Sequence, residues 1–344
     1  MTTELHAQAP ALESDTFDLL DLRILCALEV NGRASFSRLG GVLGVSDQTV
    51  ARRYRRLCAE GDLRVVAVRD AERLGHDQWM LRLRCVPDTA HTIADALAKR
   101  PDTSWIALAS GGTEVICGTR PRSPGDRDDL LLGKLPRTPS VVEIRAHQLL
   151  HRFFGGPDGW LRKFRALTDD QIAALRPAPR PAAPAGIGPE DEPLVAALER
   201  DGRASLPELQ RATGRSESAV KRRLSSLVAS GAIYIDVEYA PESLGHRVGA
   251  ALWITAAPAA LHRVGQALAR HPEIAHATAT AGPSNLMATV VTRSTADLYA
   301  YLSGPLGALE GVQHVEATPY LRRVKQLTYP RARRAGPPSA RSRS

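Results

Sequence analysis

Phe17, Leu20, Ile24 and Leu28 recur at helical spacing and end at Asn31-Gly32, so the first apolar stripe predicts a helix closed by a turn. Ser35 then stands as an N-cap ahead of FSRLGGVLG, Gly44 supplies a turn, and Ser46 caps DQTVARRYRRLCAE, which Gly61 closes. This punctuation predicts helix, helix, tight glycine turn, helix, the plan of a helix-turn-helix whose last helix lies in a major groove. On that last helix Val50, Tyr54 and Leu57 fall on one side at i, i+4 and i+7, which places them in the core. Gln48, Arg52, Arg55 and Arg56 then face outward, a donor set suited to guanine and adenine edges and to phosphates.

The pattern occurs twice. Residues 31–61 align without gaps on 201–231, at an offset of 170, with 13 of 31 positions identical. Ser205, Gly214, Ser216 and Gly231 repeat the punctuation, and Val220, Leu224 and Leu227 repeat the buried face. Ser218, Arg222, Ser225 and Ser226 stand outward, so three outward cations in the first copy oppose one in the second. ERLGH at 72–76 returns as ESLGH at 242–246. After the second copy, GAALWITAA reads as a strand, 258–271 as a helix stopped by Pro272, and IAHATATAG and LMATVVTR as strands. A helix from near Ser294 and the strand VEATPYLRRVK complete the order. After the first copy come WMLRLRCV, a helix over 88–100 stopped by Pro101, SWIALASG, VICGTR, a short helix near 126–135, and VVEIRAHQLL.

Each order is βαββαβ, so each sheet is antiparallel with both helices on one face, and the other face needs a cover, usually a second copy. Trp79 and Trp253, in the first strands, belong to that face or to ordinary core. A single chain satisfies one pairing, which leads to the expectation of a chain dimer or larger built through the sheet domains. The fold class is therefore α+β: two tandem units, each a winged helix-turn-helix followed by a ferredoxin-like βαββαβ domain. The boundaries fall at 17–70 and 71–155 for the first unit, 156–193 for a helical and proline-rich linker, and 194–240 and 241–329 for the second unit. Residues 1–16 and the basic tail 330–344, which has five Arg and no acid, are expected to be disordered. RPAPRPAAPAGIGPEDEP, six prolines in eighteen residues, reads as a semi-rigid spacer.

Composition excludes several classes. Hydrophobic residues at 43% and charged residues at 24% are those of a globular protein, and no apolar run approaches the roughly 18 to 20 residues of a membrane span. The first sixteen residues carry acids and no apolar core, which argues against a secretory signal and leaves a cytoplasmic location as the expectation. Cys26, Cys58, Cys85 and Cys117 stand far apart and read as small core residues rather than a disulfide framework or zinc knuckle. The net charge of +8 favours a polyanionic partner. Residues 33–69 carry eight bases and three acids, 203–239 six bases and four acids, so the first copy is expected to dominate any binding to nucleic acid.

The chain resembles the leucine-responsive and asparagine-regulator (Lrp/AsnC) transcription factors over both copies, about 18–152 and 194–328. The resemblance rests on Gly32-Arg33-Ala34-Ser35 and Gly202-Arg203-Ala204-Ser205, the Ser46 and Ser216 caps, the Val-x-x-Arg-Arg cores, and the LGH after each wing strand. A Gly-x-x-Asp-like turn between strands two and three adds to it. It implies double-stranded DNA as partner, an amino acid or related metabolite as effector, self-association, and no cofactor. The implied DNA-binding residues are Ser46, Gln48, Thr49, Arg52, Arg53, Arg55 and Arg56, with Ser216, Ser218, Lys221 and Arg222 in the second unit. The effector turn stands as Gly111, Thr113 and Glu114, and as Gly282, Ser284 and Asn285, both departing from Asp. Two alternatives are a metabolite sensor silent toward DNA and an enzyme similar to sirohaem decarboxylases, for which His76, His147, His151 and His246 are available. No P-loop, GxSxG, HExxH or paired-carboxylate signature is present, and no catalytic or metal-binding residue is assigned.

Overall fold

Asp18 and Asp21 set the first helix by reciprocal capping: each carboxylate accepts the other's backbone N–H, at 3.0 and 3.1 Å, and α1 runs over Leu19–Val30. Ser35 caps α2 (Phe36–Leu43), which Gly44 ends at φ +73°, and Ser46 caps α3 (Asp47–Glu60) by accepting the Thr49 N–H at 3.1 Å. The computed structural model describes residues 17–177 and 186–328, so both expected disordered ends and three of the six spacer prolines lie outside the described residues. Strand β1 (Arg64–Arg69) is followed by β2 (Gln78–Cys85), α4 (Ala90–Ala98), β3 (Thr103–Ala109), β4 (Glu114–Thr119), α5 (Pro124–Asp128, extended by a π turn through Lys134) and β5 (Val141–Phe154). The linker adds α6 (Asp169–Leu175).

The second unit repeats the plan with α7 (Glu192–Arg200), α8 (Leu206–Thr213), α9 (Glu217–Ala229), β6 (Ile233–Glu238), β7 (Val248–Ala256), α10 (Leu261–Arg270), β8 (Ile274–Thr280), β9 (Leu286–Thr292), α11 (Thr295–Tyr301) and β10 (Val312–Lys325). Ser216 has the backbone of a cap, yet its hydroxyl meets Ser218 Oγ at 3.3 Å and no helix N–H, so the expected side-chain cap of α9 is absent.

Three strand pairings join the units. Strands β1 and β6 form an antiparallel ribbon with Val66 opposite Asp236, and those two residues are themselves separated by the repeat offset of 170, so a pseudo-two-fold axis passes through this pair. The other eight strands close a barrel in the order β10-β3-β4-β2-β5-β8-β9-β7, stitched between units by β5–β8 and β10–β3. Its interior is packed by Met80, Ala109, Ile116, Ala251, Trp253 and Met287 from both sheets. Trp253 is 0% exposed, and removing an indole of this size from water contributes on the order of 3 kcal/mol. The face that each sheet could not cover with its own helices is thus covered within one chain, and covering it gives no reason for a second chain.

The helix-turn-helix domains exchange their last strands. Ala67 of β1 lies in the core of the second domain, and Arg69 reaches Glu192 and Glu199 of α7, both at 2.7 Å. Val237 and Tyr239, at the end of β6, lie in the core of the first. That first core also takes Trp160, Leu161 and Phe164 from the linker, whose Gln171 donates to Val42 O at 3.0 Å.

Candidate nucleic-acid interface and central cavity

The last helix of each helix-turn-helix buries the residues its periodicity predicts: Val50 and Leu57 on α3, Val220, Leu224 and Leu227 on α9, with Tyr54 half-buried against Phe36. Ser46, Gln48, Arg52 and Arg55 are exposed and Thr49 partly so. Arg53 and Arg56 depart from the expectation. Both turn back onto Asp21, which is 0% exposed, and Arg53 also holds Asp18 at 2.5 Å. A buried carboxylate claims these guanidinium groups because its own desolvation is offset only by such partners. A helical wheel cannot reveal this, since Asp21 precedes Arg53 by 32 residues. The repeat could have: Arg223 holds buried Asp191 at 2.5 Å in the equivalent pair. On α9, Ser216, Ser218, Lys221 and Arg222 are exposed, while Ser225 and Ser226 are partly covered. The exposed cations are therefore Arg52 and Arg55 on one helix and Lys221 and Arg222 on the other, which corrects the three-to-one imbalance.

The two domains are locked across the pseudo-two-fold by the GRAS arginines. Arg33 donates to Gly202 O and Ala204 O at 2.5 and 2.9 Å, and Arg203 returns the contact to Gly32 O and Ala34 O at 2.6 and 2.9 Å. Arg203 also lies over the rings of Phe36 and Tyr54, at 4.8 and 5.3 Å.

The two glycine turns use their polar groups internally. Glu114 is 7% exposed and accepts from Arg82 at 2.5 Å and from Ser110 at 2.6 Å, and Arg82 also holds Glu316. Thr113 donates to Ser110 O, and Gly111 sits at φ +67°. In the second unit Ser284 O accepts from Thr280, Gly282 packs against His147, and the Asn285 amide is bound on both atoms to the backbone of Ala256, at 2.7 and 2.9 Å. Both turns are hairpin closures in which the side chains of Thr113, Glu114 and Asn285 are already bonded within the chain.

A cavity of about 330 Å³ lies elsewhere, between the β1–β6 ribbon and the barrel, and takes no residue from either turn. Arg69, Arg120, Arg152, His76, His151 and His276 reach its wall. Arg69 is spent on α7, and Arg152 on Asp70 at 2.9 Å and Glu72 at 3.2 Å. Among the described residues the Arg120 guanidinium has no hydrogen bond or ion pair. Glycine makes room for two of the others: a Cβ on Gly155 would meet His276 Nδ1 at 2.5 Å, and one on Gly156 would meet the Arg152 guanidinium at 2.6 Å. Desolvation, seconded by Arg152 and Arg120, lowers the His276 pKa to about 4, so its imidazole is neutral at pH 7. Desolvation likewise pushes the Asp236 carboxyl up to about 7 and that of Glu29 up to about 8. No periodicity pointed here, because the wall is assembled from strand ends and loops of both units.

The remaining histidines divide. His246 is wedged against Trp160 and Phe164, with ring centroids 5.0 and 5.4 Å away, whereas His76, its counterpart, is exposed at the cavity. His147 is 2% exposed, stacks on Trp253 at 4.7 Å and has neither ring nitrogen bonded. Cys26, Cys85 and Cys117 are buried and Cys58 half-buried, all as free thiols.

Residues 17–57 match the profile of the AsnC-type helix-turn-helix domain, 249–330 that of the Lrp/AsnC ligand binding domain, and 194–234 that of the winged helix-turn-helix DNA-binding domain. Two helix-turn-helix matches in one chain, the second followed by the ligand-binding match, are consistent with two tandem units of this type. Its Lrp/AsnC relatives are single units: the HTH-type transcriptional regulator FL11 of Pyrococcus furiosus is 27% identical over 139 residues, 40% of this chain and 91% of the relative. The HTH-type transcriptional regulator LrpA of Pyrococcus horikoshii is 25% identical over 140 residues, 40% of this chain and 99% of the relative. The double-unit fold is shared with the siroheme decarboxylase NirDL, at TM-score 0.59 and 14% identity over 90% of this chain and 94% of that one. Among the described residues no helix is long and apolar enough to cross a membrane.

Proposed function

We propose that this chain is a sequence-specific DNA-binding regulator of transcription, located in the cytoplasm, in which one polypeptide supplies the pair of Lrp/AsnC-type units. The observation that carries the reading is the matched pair of outward helix faces. Gln48, Arg52 and Arg55 on α3 and Ser218, Lys221 and Arg222 on α9 stand exposed on domains that Arg33 and Arg203 clasp reciprocally. Cations of this kind neutralise phosphates, and Arg and Gln can read purine edges. Its partners are duplex DNA and an amino acid or related small metabolite, and it performs no catalysis. Selection of duplexes from a random pool by the full chain tests this. The expected product is two half-sites about one helical turn, or a multiple, apart. A pool without enrichment after successive rounds contradicts the reading.

A second reading, chemistry on a tetrapyrrole as the name of the decarboxylase indicates for that protein, is favoured by one observation: three histidines and three arginines on the cavity wall. Against it, Arg69 and Arg152 are already paired, leaving one guanidinium for a macrocycle that carries carboxylates around its rim. Titration of the purified chain with sirohaem separates the two. An unchanged absorbance spectrum is expected, and a shifted haem band with loss of carboxylate would establish the enzyme.

A further inference from the structure

The central cavity has the build of a ligand site in four respects. It holds broad apolar side chains, Trp79, Trp105, Met80 and Met287, on a wall that also carries three arginines, three histidines and several carboxyl groups. Its volume, about 330 Å³, falls at the lower end of the range of small-molecule pockets. One cation on its rim, Arg120, has no hydrogen bond or ion pair among the described residues, unlike Arg69 and Arg152 on the same wall. The backbone is also strained at this place. Trp105 sits at φ +50°, in a bulge where the β3–β4 register shifts between Ser104 and Ile106, and its N–H donates to Gln326 O at 2.6 Å. A left-handed conformation at a bulky residue is held only where the surroundings over-determine it, and such residues gather at ligand clamps. The edge contact of Trp105 with Tyr320, at 4.8 Å, fixes the indole in that position.

The repeat supplies an internal control. Thr119-Arg120 corresponds to Thr292-Arg293, and His76 to His246. Around His246 the linker residues Trp160 and Phe164 pack on the imidazole beside a pocket of about 370 Å³ that also reaches Arg293, whereas His76 and Arg120 open onto the central cavity. The two equivalent places differ in what borders them: Phe164 and Tyr301 stand by the pocket at His246, and Trp79 and Trp105 by the cavity at His76.

We infer that this cavity binds a planar aromatic carboxylic acid, its ring between Trp79 and Trp105 and its carboxylate on Arg120. Calling that acid the effector rests on the DNA-binding reading; the site itself does not. The ribbon strands that carry Arg69, Tyr234 and Asp236 form one wall, so an occupant touches the connection between the two helix-turn-helix domains and the barrel. The glycine turns at 111–114 and 282–285 take no part.

Calorimetric titration of the full chain with indole-3-acetate, and with its neutral amide as control, tests the assignment. The acid is expected to bind with a submillimolar Kd and the amide at least about tenfold more weakly. Arg120→Gln should weaken the acid by about tenfold or more, with Arg120→Lys recovering part of it, whereas Thr113→Ala in the first turn should leave it unchanged. No binding of indole-3-acetate or 2-naphthoate at several millimolar, by protein that still binds DNA, overturns the site. An affinity untouched by Arg120→Gln, or lost in Thr113→Ala, overturns its placement. A chain that binds the acid through Arg120 and no DNA sustains the site and overturns the DNA-binding reading instead.

Discussion

The two halves of this chain carry the same cap serines, the same GRAS turn, the same buried Asp–Arg pair and the same LGH, yet they are held differently. In the first half, linker residues 160–175 brace the helix-turn-helix: Asn31 donates to Leu175 O at 2.9 Å and Arg38 to Ala174 O at 2.6 Å. The second domain relies on the exchanged strand β1 and the Arg69–Glu192–Glu199 cluster. In the sheets the imbalance reverses, with the second unit's LGH histidine packed on linker aromatics and the first unit's exposed at the central cavity. Duplication fixed a symmetric frame, and the linker, which has no counterpart, made the halves unequal. What stayed equal is the outward face of the recognition helices, two exposed cations on each.

The largest expected effect tests that equality. Arg52→Ala with Arg55→Ala, and Lys221→Ala with Arg222→Ala, should each weaken binding to a selected duplex by about 100-fold and flatten the salt dependence by about two units, read by fluorescence anisotropy. A loss ten times greater for the first pair would restore the imbalance that the sequence implied. Arg56→Ala alone, its guanidinium already on Asp21, should cost less than about threefold. Next in size is the anchor itself. Asp21 caps α1 and holds two arginines, Asp191 principally one, so urea unfolding should place Asp21→Ala about 2 kcal/mol and Asp191→Ala about 1.5 kcal/mol below the parent. The arginine ends are partly exposed, which keeps both values below those of fully buried pairs. Smaller again is the difference across the clasp: Arg203→Ala should destabilise by about 1 kcal/mol more than Arg33→Ala, since only Arg203 lies on two aromatic rings.

The smallest effect concerns the axis, where Val66 faces Asp236. The folded chain raises the Asp236 pKa from 3.8 to about 7, so it holds that proton more tightly than the unfolded chain does. The resulting stabilisation is complete below about pH 4 and is lost as pH rises through 7. Asp236→Asn, which cannot ionise, should match the parent at pH 4 and exceed it at pH 8 by about 1 kcal/mol, a modest value because the adjoining cavity admits water. Thermal unfolding at the two pH values reads this, and a variant less stable than the parent at pH 8 would contradict it.

Much of this was legible in the sequence, and the parts that were not share a cause. Periodicity and caps placed α1, α2 and α3 and their repeats α8 and α9, because those signals are local: Ser35, Gly44 and Ser46 act on residues within one turn, whereas α7 begins inside the stretch read as a spacer. The βαββαβ order was equally readable from alternation and proline stops. Contacts between distant segments were not. Arg56 looks outward until Asp21 is set beneath it, and Glu114 looks available until Arg82 and Glu316 arrive from two other strands. The cavity gathers residues from the ribbon, six barrel strands and the linker, so no spacing encodes it. The covering of each sheet by the other was foreseeable; that the two sheets would close a barrel within one chain depends on the β5–β8 and β10–β3 pairings, which follow from register alone.

The central claim is that one chain presents both recognition helices to DNA as a ready-made pair. The direct measurement is the mass of the complex with a selected duplex, by analytical ultracentrifugation, on the intact site and on sites with either half scrambled. The account predicts one 37.1 kDa chain per intact duplex and a comparable loss of affinity on scrambling either half. Two chains per duplex, or one half-site whose scrambling changes nothing, would contradict it.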